Sequence, residues 1–206
     1  FRMDGDLAPL PDIVAVARDH DDWVMTDDAH GLGVVGDGFG SAAHWGVHVD
    51  VQMGTLSKAV GSYGGYVAAS RPVVDLLINR ARSLIYATGL PPSVVAASIA
   101  GLDIIAGDPG LCAVPLKRAR LFAAQLNLAP PQSPIVPLIV GASDAALAAS
   151  RALEQAGFLV TAIRPPTVPE GTARLRVTFT AAHSEDDVLR LAVAVRSVMP
   201  PGVLAR

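Results

Sequence analysis

The sequence predicts an α/β fold in which a mostly parallel sheet is followed by a small α+β domain. Three features carry that expectation. Short apolar runs stop at polar or glycine-rich turns, as Trp23-Val24-Met25-Thr26 does before Asp27-Asp28-Ala29-His30-Gly31, and as Val49 to Met53 does before Gly54. Stretches with helical spacing of apolar residues and long loops separate these runs, which implies parallel pairing. After the break at Gly107-Asp108-Pro109-Gly110 the order becomes β-α-β-β-α, the pattern of a two-layer α+β unit. The expected domains are residues 1–112 and 113–206.

Taken in chain order, Phe1 to Asp6 reads as a turn, and Leu10, Ile13, Val14 and Ala17 fall on one helical face, with Pro9 and Pro11 tolerated at its start. The strand at Trp23 to Thr26 leaves two carboxylates and an imidazole at its C-terminal end, the edge where open α/β sheets bind ligands. Glycines at 31, 33, 36, 38 and 40 are too many for a regular element, so a loop is expected there. His44 and His48 share a helical spacing but find no further ligand at a sensible distance, so no metal is expected. Tyr66 to Ser70 reads as a strand, Arg71 to Arg82 as a helix and Ser93 to Ala106 as another. Beyond the break, helices are expected over Leu116 to Leu128, from Ser143 to Gly157 and from Ser184 to Met199, the last with an N-cap and an acidic first turn. Strands are expected at Ile135 to Val140, Leu159 to Ile163 and Leu175 to Thr180.

With 206 residues, 51% hydrophobic and 17% charged, the chain can bury a real core. Its 16 Lys and Arg against 19 Asp and Glu leave a net charge of −3 with no basic run, so small molecules are expected as partners rather than nucleic acid or an anionic membrane surface. The apolar run from Val94 to Gly101 is far short of the ~20 residues of a membrane span. Cys112 stands alone, which suits a reducing cytoplasmic setting, and reads as a packing residue. No signal peptide is read at Phe1, and the start looks cut.

Two polar clusters lie at neighbouring strand ends: Asp27 with His30, and Thr55 with Lys58 in the glycine-rich run Gly54-Thr55-Leu56-Ser57-Lys58-Ala59-Val60-Gly61. A carboxylate, an imidazole, a hydroxyl and a lysine form the set a pyridoxal phosphate site requires: an amine for the aldehyde, an anion to keep the ring nitrogen protonated, and donors for the phenolic oxygen and the phosphate. The bland alternative is that the acids end a strand, His30 packs in a turn and Lys58 is solvated. Arg174 and Arg176 are two apart on a strand and share a face; a guanidinium there either holds a substrate carboxylate or belongs to a solvated basic face.

The runs Met3-Asp4-Gly5-Asp6, Asp27-Asp28-Ala29-His30-Gly31, Gly54-Thr55-Leu56-Ser57-Lys58, Thr88-Gly89-Leu90-Pro91-Pro92 and Arg164 to Arg176 followed by Ala181-Ala182-His183 resemble the α-oxoamine synthases in order and spacing. That resemblance implies the second half of a fold-type I pyridoxal phosphate transferase large domain, then a small C-terminal domain. It implies that Lys58 holds the cofactor, Asp27 contacts its ring nitrogen, His30 its phenolic oxygen, Thr55 its phosphate, and Thr88 the phosphate in the partner subunit of a homodimer. It also implies that Arg176 clamps the alanine carboxylate and Thr167 lines the substrate side. The run Arg164-Pro165-Pro166-Thr167-Val168-Pro169 resembles the branch that condenses L-alanine with pimeloyl-CoA or pimeloyl-acyl carrier protein in biotin synthesis, rather than the 2-amino-3-ketobutyrate CoA ligases. Arg2 stands where the family has serine, and the family's chain begins earlier, with a glycine loop and a ring-stacking histidine upstream. A non-catalytic chain that pairs with a longer subunit is the alternative of another class.

Overall fold

The computed structural model describes residues 3–199 and Val203. Contacts divide the chain into two units: Ala8–Ala113, and Val114 onward together with the segment ending at Leu7. Phe1 and Arg2 lie outside the described residues, so the substitution read at Arg2 does too.

The first unit contains α1 (Leu10–Asp19), β1 (Met25–Asp27), a 3-10 turn at Gly36–Gly38, α2 (Ser41–Trp45), β2 (Val51–Thr55), β3 (Gly65–Ala69), α3 (Arg71–Arg80), α4 (Arg82–Ile85) and α5 (Pro92–Gly107). β1 pairs with β2 in parallel, with Asp27 opposite Met53. β2 pairs with β3 antiparallel, with Gly54 opposite Tyr66. Among the described residues the sheet thus holds one parallel and one antiparallel strand pair within an α/β unit. Residues 56–64 make a loop too short for the helical crossover that a parallel return needs, so β3 folds straight back. The long connection from β1 to β2 is the glycine-rich loop, and its compact turns let a parallel pair form without a long helix.

Leu10 and Val14 of α1 pack with Val24, Ala42 and Val49 in one small core. Ile13, placed on that apolar face by its spacing, is instead exposed, because the buried stripe is narrower than the sequence pattern. A second core joins Val60, Ile105 and Cys112. Burial pushes the Cys112 thiol above its ordinary range, with Asp108 and Asp37 adding to the effect, so it packs as an uncharged side chain. Much apolar surface in this unit has no cover. Neither α3 nor α4 buries a residue, and α5 buries only Ser98 and Ile105. On the sheet face that carries Asp27, Met25 is 60% exposed and Val67 45%. Paired strands of an α/β sheet are stable when both faces are covered.

α6 (Pro109–Gln125) follows α5 directly, so the sequence break at residues 107–110 is a bend between helices, and Pro109 takes the first position, where a missing N–H costs nothing. The helix starts earlier than the periodicity predicts because Pro115 is accommodated inside it. The second unit continues with β4 (Ile135–Gly141), α7 (Ser143–Gln155), β5 (Thr161–Ile163), β6 (Ala173–Thr178) and α8 (Glu185–Val198). Its sheet has the order β4-β6-β5 and is antiparallel throughout. Leu175 and Val177 of the central strand join Phe122, Leu153, Val188 and Val195 in a continuous core. Ser184 caps α8 by accepting from the Asp187 N–H at 3.1 Å. The segment ending at Leu7 packs here: the Ile135 carbonyl crowds Gly5, whose φ is +73°, and Asp4 pairs with Arg174.

Among the described residues, no single helix is long and apolar enough to cross a membrane.

Candidate active site

β1 and β2 bring the first polar cluster beside the second. Asp27 ends β1 with its side chain exposed, and its Oδ1 accepts from the Ala29 N–H at 2.9 Å, which turns the chain toward His30. Asp28 extends the ladder, its N–H donating to the Met53 carbonyl at 2.8 Å. His30 is half-buried in the turn that follows.

On the neighbouring strand, Thr55 closes β2. Its hydroxyl donates to the Gly64 carbonyl at 2.9 Å and lies 2.7 Å from the Ser57 hydroxyl, and the Ser57 N–H donates back to it at 3.2 Å. Lys58 follows in the bend, exposed, with its carbonyl accepting from the Gly61 N–H at 3.0 Å. Ser62 ties this loop to α5, donating to the Val94 carbonyl at 3.0 Å and accepting from the Ser98 hydroxyl at 2.8 Å. The loop is thus anchored at both ends while its amine stays accessible.

Asp27, His30, Thr55 and Lys58 therefore converge on one end of one parallel strand pair. Thr88 belongs to the same unit, exposed between α4 and α5. Arg176 and Thr167 belong to the second unit. Arg176 lies on the central strand opposite Pro137 and Thr161, and lines a pocket of about 340 Å³ with Phe158, His183, Asp187 and Arg190. Thr167 is exposed in a turn where its N–H donates to the Arg164 carbonyl at 3.1 Å. Arg174 does not sit on a solvated basic face: it is 5% exposed, with its Nε donating to the Thr172 carbonyl at 3.0 Å and its guanidinium paired with Asp4. A buried guanidinium needs such partners.

Two further residues have surroundings that the sequence pattern alone does not specify. Asp28 is 5% exposed, accepts from the Ser41 N–H at 2.8 Å, and sits where side chains on Gly31 and Gly40 would strike its carboxylate. Tyr66 stands opposite Gly54, and a Cβ there would lie 2.8 Å from its hydroxyl oxygen. The signal was available in the alternation of strand side chains, which sends Asp27 and Asp28 to opposite faces.

Amine, carboxylate, imidazole and paired hydroxyls at adjoining strand ends match in kind the donors that pyridoxal phosphate needs. Among the described residues, no three His, Cys, Asp or Glu side chains gather to hold a metal ion.

Residues 1–195 match the family model for aminotransferase class I and II. The chain is 64% identical over 195 residues to a putative 8-amino-7-oxononanoate synthase of Acidiphilium cryptum, covering 95% of this chain and 51% of that protein. It is 60% identical over 200 residues to an 8-amino-7-oxononanoate synthase of Methylocella silvestris, covering 97% and 57%. The chain thus spans about half the length of the curated relatives it matches. Among solved structures, a serine palmitoyltransferase of Sphingomonas wittichii aligns at TM-score 0.88 and 32% identity, over 96% of this chain and 54% of that one.

Proposed function

The chain belongs to the aminotransferase class I and II family, and on that basis we propose that it supplies the lysine-bearing half of a pyridoxal-phosphate-dependent acyltransferase. The reaction we assign is condensation of L-alanine with a pimeloyl thioester, carried by coenzyme A or an acyl carrier protein, with loss of carbon dioxide to give 8-amino-7-oxononanoate in biotin synthesis. The names of the relatives at 60% identity and above support this reading. The observation that carries it is the pairing of β1 with β2, which sets Asp27 and His30 beside the loop of Thr55 and Lys58.

When bound, the cofactor supplies an electron sink for a carbanion at the amino acid's α-carbon. Lys58 would hold it through Nζ and, once released, carry the α-proton on that atom. The Asp27 carboxylate would keep the ring nitrogen protonated, since an adjacent anion favours the cationic form. His30 would orient the phenolic oxygen, and the Thr55 hydroxyl, set by its bonds to Gly64 and Ser57, would take the phosphate. Thr88 is assigned to the phosphate in a partner subunit, and Arg176 and Thr167 to the alanine carboxylate and the substrate side.

The uncovered face of the β1-β2-β3 sheet supports a further element of the proposal. Met25 and Val67 need cover, and the relatives are about twice as long as the matched region. Activity is assigned to this chain together with the upstream region that the relatives carry; the alternative reading is a non-catalytic chain that pairs with a longer subunit. The test is turnover with a pimeloyl thioester after that region is supplied, with L-alanine and glycine compared. Preference for alanine supports the assignment; preference for glycine with acetyl-CoA points to a 2-amino-3-ketobutyrate CoA ligase.

A further inference from the structure

One stripe of α5 holds the bend that follows Lys58. Val94, Ser98, Gly101 and Ile105 recur at helical spacing and so line a single face, and Ser98 and Ile105 are the residues that α5 buries. At the top of the stripe, the Ser62 hydroxyl donates to the Val94 carbonyl at 3.0 Å and accepts from the Ser98 hydroxyl at 2.8 Å. One turn further, Gly101 lets the bend lie against the helix backbone: a Cβ there would stand 2.8 Å from the Val60 carbonyl oxygen and 2.9 Å from its Cγ1. Ile105 then joins Val60 in a buried cluster against which Leu56 packs. From the other side, Gly33 leaves room for Ala59, whose Cβ would be 2.6 Å from a Cβ on that glycine.

The bend is also closed on itself. The Ser62 N–H donates to the Leu56 carbonyl at 2.9 Å, the Leu56 N–H to the Gly64 carbonyl at 2.9 Å, and the Gly61 N–H to the Lys58 carbonyl at 3.0 Å. Movement of Ser62 is therefore passed to the residues on both sides of Lys58. Ser98 also bonds the Val94 carbonyl of its own helix at 2.9 Å, the ordinary local habit of a helical serine. Its bond to Ser62, 36 residues away, is what that habit does not explain.

We propose that Ser98 is a positioning residue for Lys58: through Ser62, and beside Gly101, it seats the 59–62 bend on α5 and so fixes where the lysine stands at the end of β2. The consequence for catalysis rests on the function proposed above; the seat itself does not.

Amide exchange tests the seat on the chain joined to the upstream region of its relatives, before any cofactor is added. In Ser62→Ala, exchange at Leu56 and Gly61 should quicken about ten-fold, and in Ser98→Ala about five-fold, as expected for the loss of two hydrogen bonds and of one. The double variant should exchange no faster than Ser62→Ala, because Ser98 acts through Ser62. Gly101→Ala supplies a better helix former yet strikes Val60, so it should quicken Gly61 while the amides of α5 do not speed up. The Asp28 N–H, bonded to Met53, is the reference and should keep the parent rate in all four. Unchanged exchange at Leu56 and Gly61 in Ser98→Ala, or a double variant that adds the full Ser98→Ala effect, would overturn the proposal and leave Ser98 only its bond within the helix. With pyridoxal phosphate then added, the circular dichroism of its visible band, per cofactor bound, should fall in Ser62→Ala and Ser98→Ala alike. A signal held at the parent value would overturn the link to Lys58. No band in any protein, the parent included, would contradict the function proposed above, with the exchange rates still deciding the seat.

Discussion

Asp27 and Asp28 are consecutive in sequence and opposite in burial: Asp27 is exposed at the strand end and accepts from the Ala29 N–H, whereas Asp28 is 5% exposed and holds the N–H of Ser41. Strand alternation puts one carboxylate on each face of the sheet. Under the proposed function the two would separate cofactor binding, at Asp27, from stability, at Asp28. Asp28→Ala should lower the stability of the first unit by about 1–3 kcal/mol, the cost of leaving a buried donor unsatisfied. Asp27→Ala should cost little stability and remove cofactor binding. Urea denaturation of both variants, followed by a cofactor titration, measures the contrast.

Arg174 gives a similar test in the second unit. Its guanidinium is buried while Asp4 is half-exposed, so removing the acid strands a charge that water cannot easily reach. Asp4→Ala should destabilise by about 2 kcal/mol, below the range for a fully buried pair because Asp4 was partly solvated. Deleting the segment through Leu7 should have at least the same effect in thermal unfolding.

The start of α8 predicts a pH dependence. Hydrogen bonds from Ser184 and Arg190 hold the Asp187 carboxyl below its ordinary value near 3.8. A depressed folded-state value means the unfolded chain binds the proton first as pH falls. Its contribution is therefore complete above pH 3.8 and is lost as pH drops below that point through the folded value. In Ser184→Ala the loss of the cap should cost about 1 kcal/mol at neutral pH and flatten the acid limb of the stability profile. Denaturation midpoints between pH 2 and 6 would show both.

Local chemistry was legible wherever one element determined it. The strands ending at Asp27 and at the Thr55–Lys58 loop, and the cap at Ser184, all follow from pattern and turn residues, and the β-α-β-β-α order of the second unit does too. What sequence left open depended on pairing. The direction of β3 turned on the length of the 56–64 loop, and the burial of Arg174 turned on Asp4, 170 residues away in sequence. Ile13 fits the apolar spacing of α1 but faces outward, because spacing cannot state how wide the covered stripe is. Asp28 carries no separate expectation from sequence for the same reason: its burial and its bond to Ser41 depend on a loop 13 residues away.

Capture of the cofactor on a single lysine tests the central claim most directly. With the remaining half supplied, the protein should bind pyridoxal phosphate with a visible absorption band. Borohydride reduction followed by peptide mass spectrometry should then place the phosphopyridoxyl group on the peptide carrying Lys58, with neither band nor adduct in Lys58→Ala. A stable adduct on another lysine, or a folded assembly that takes up no pyridoxal phosphate, would contradict the assignment of the β1 and β2 strand ends as its site.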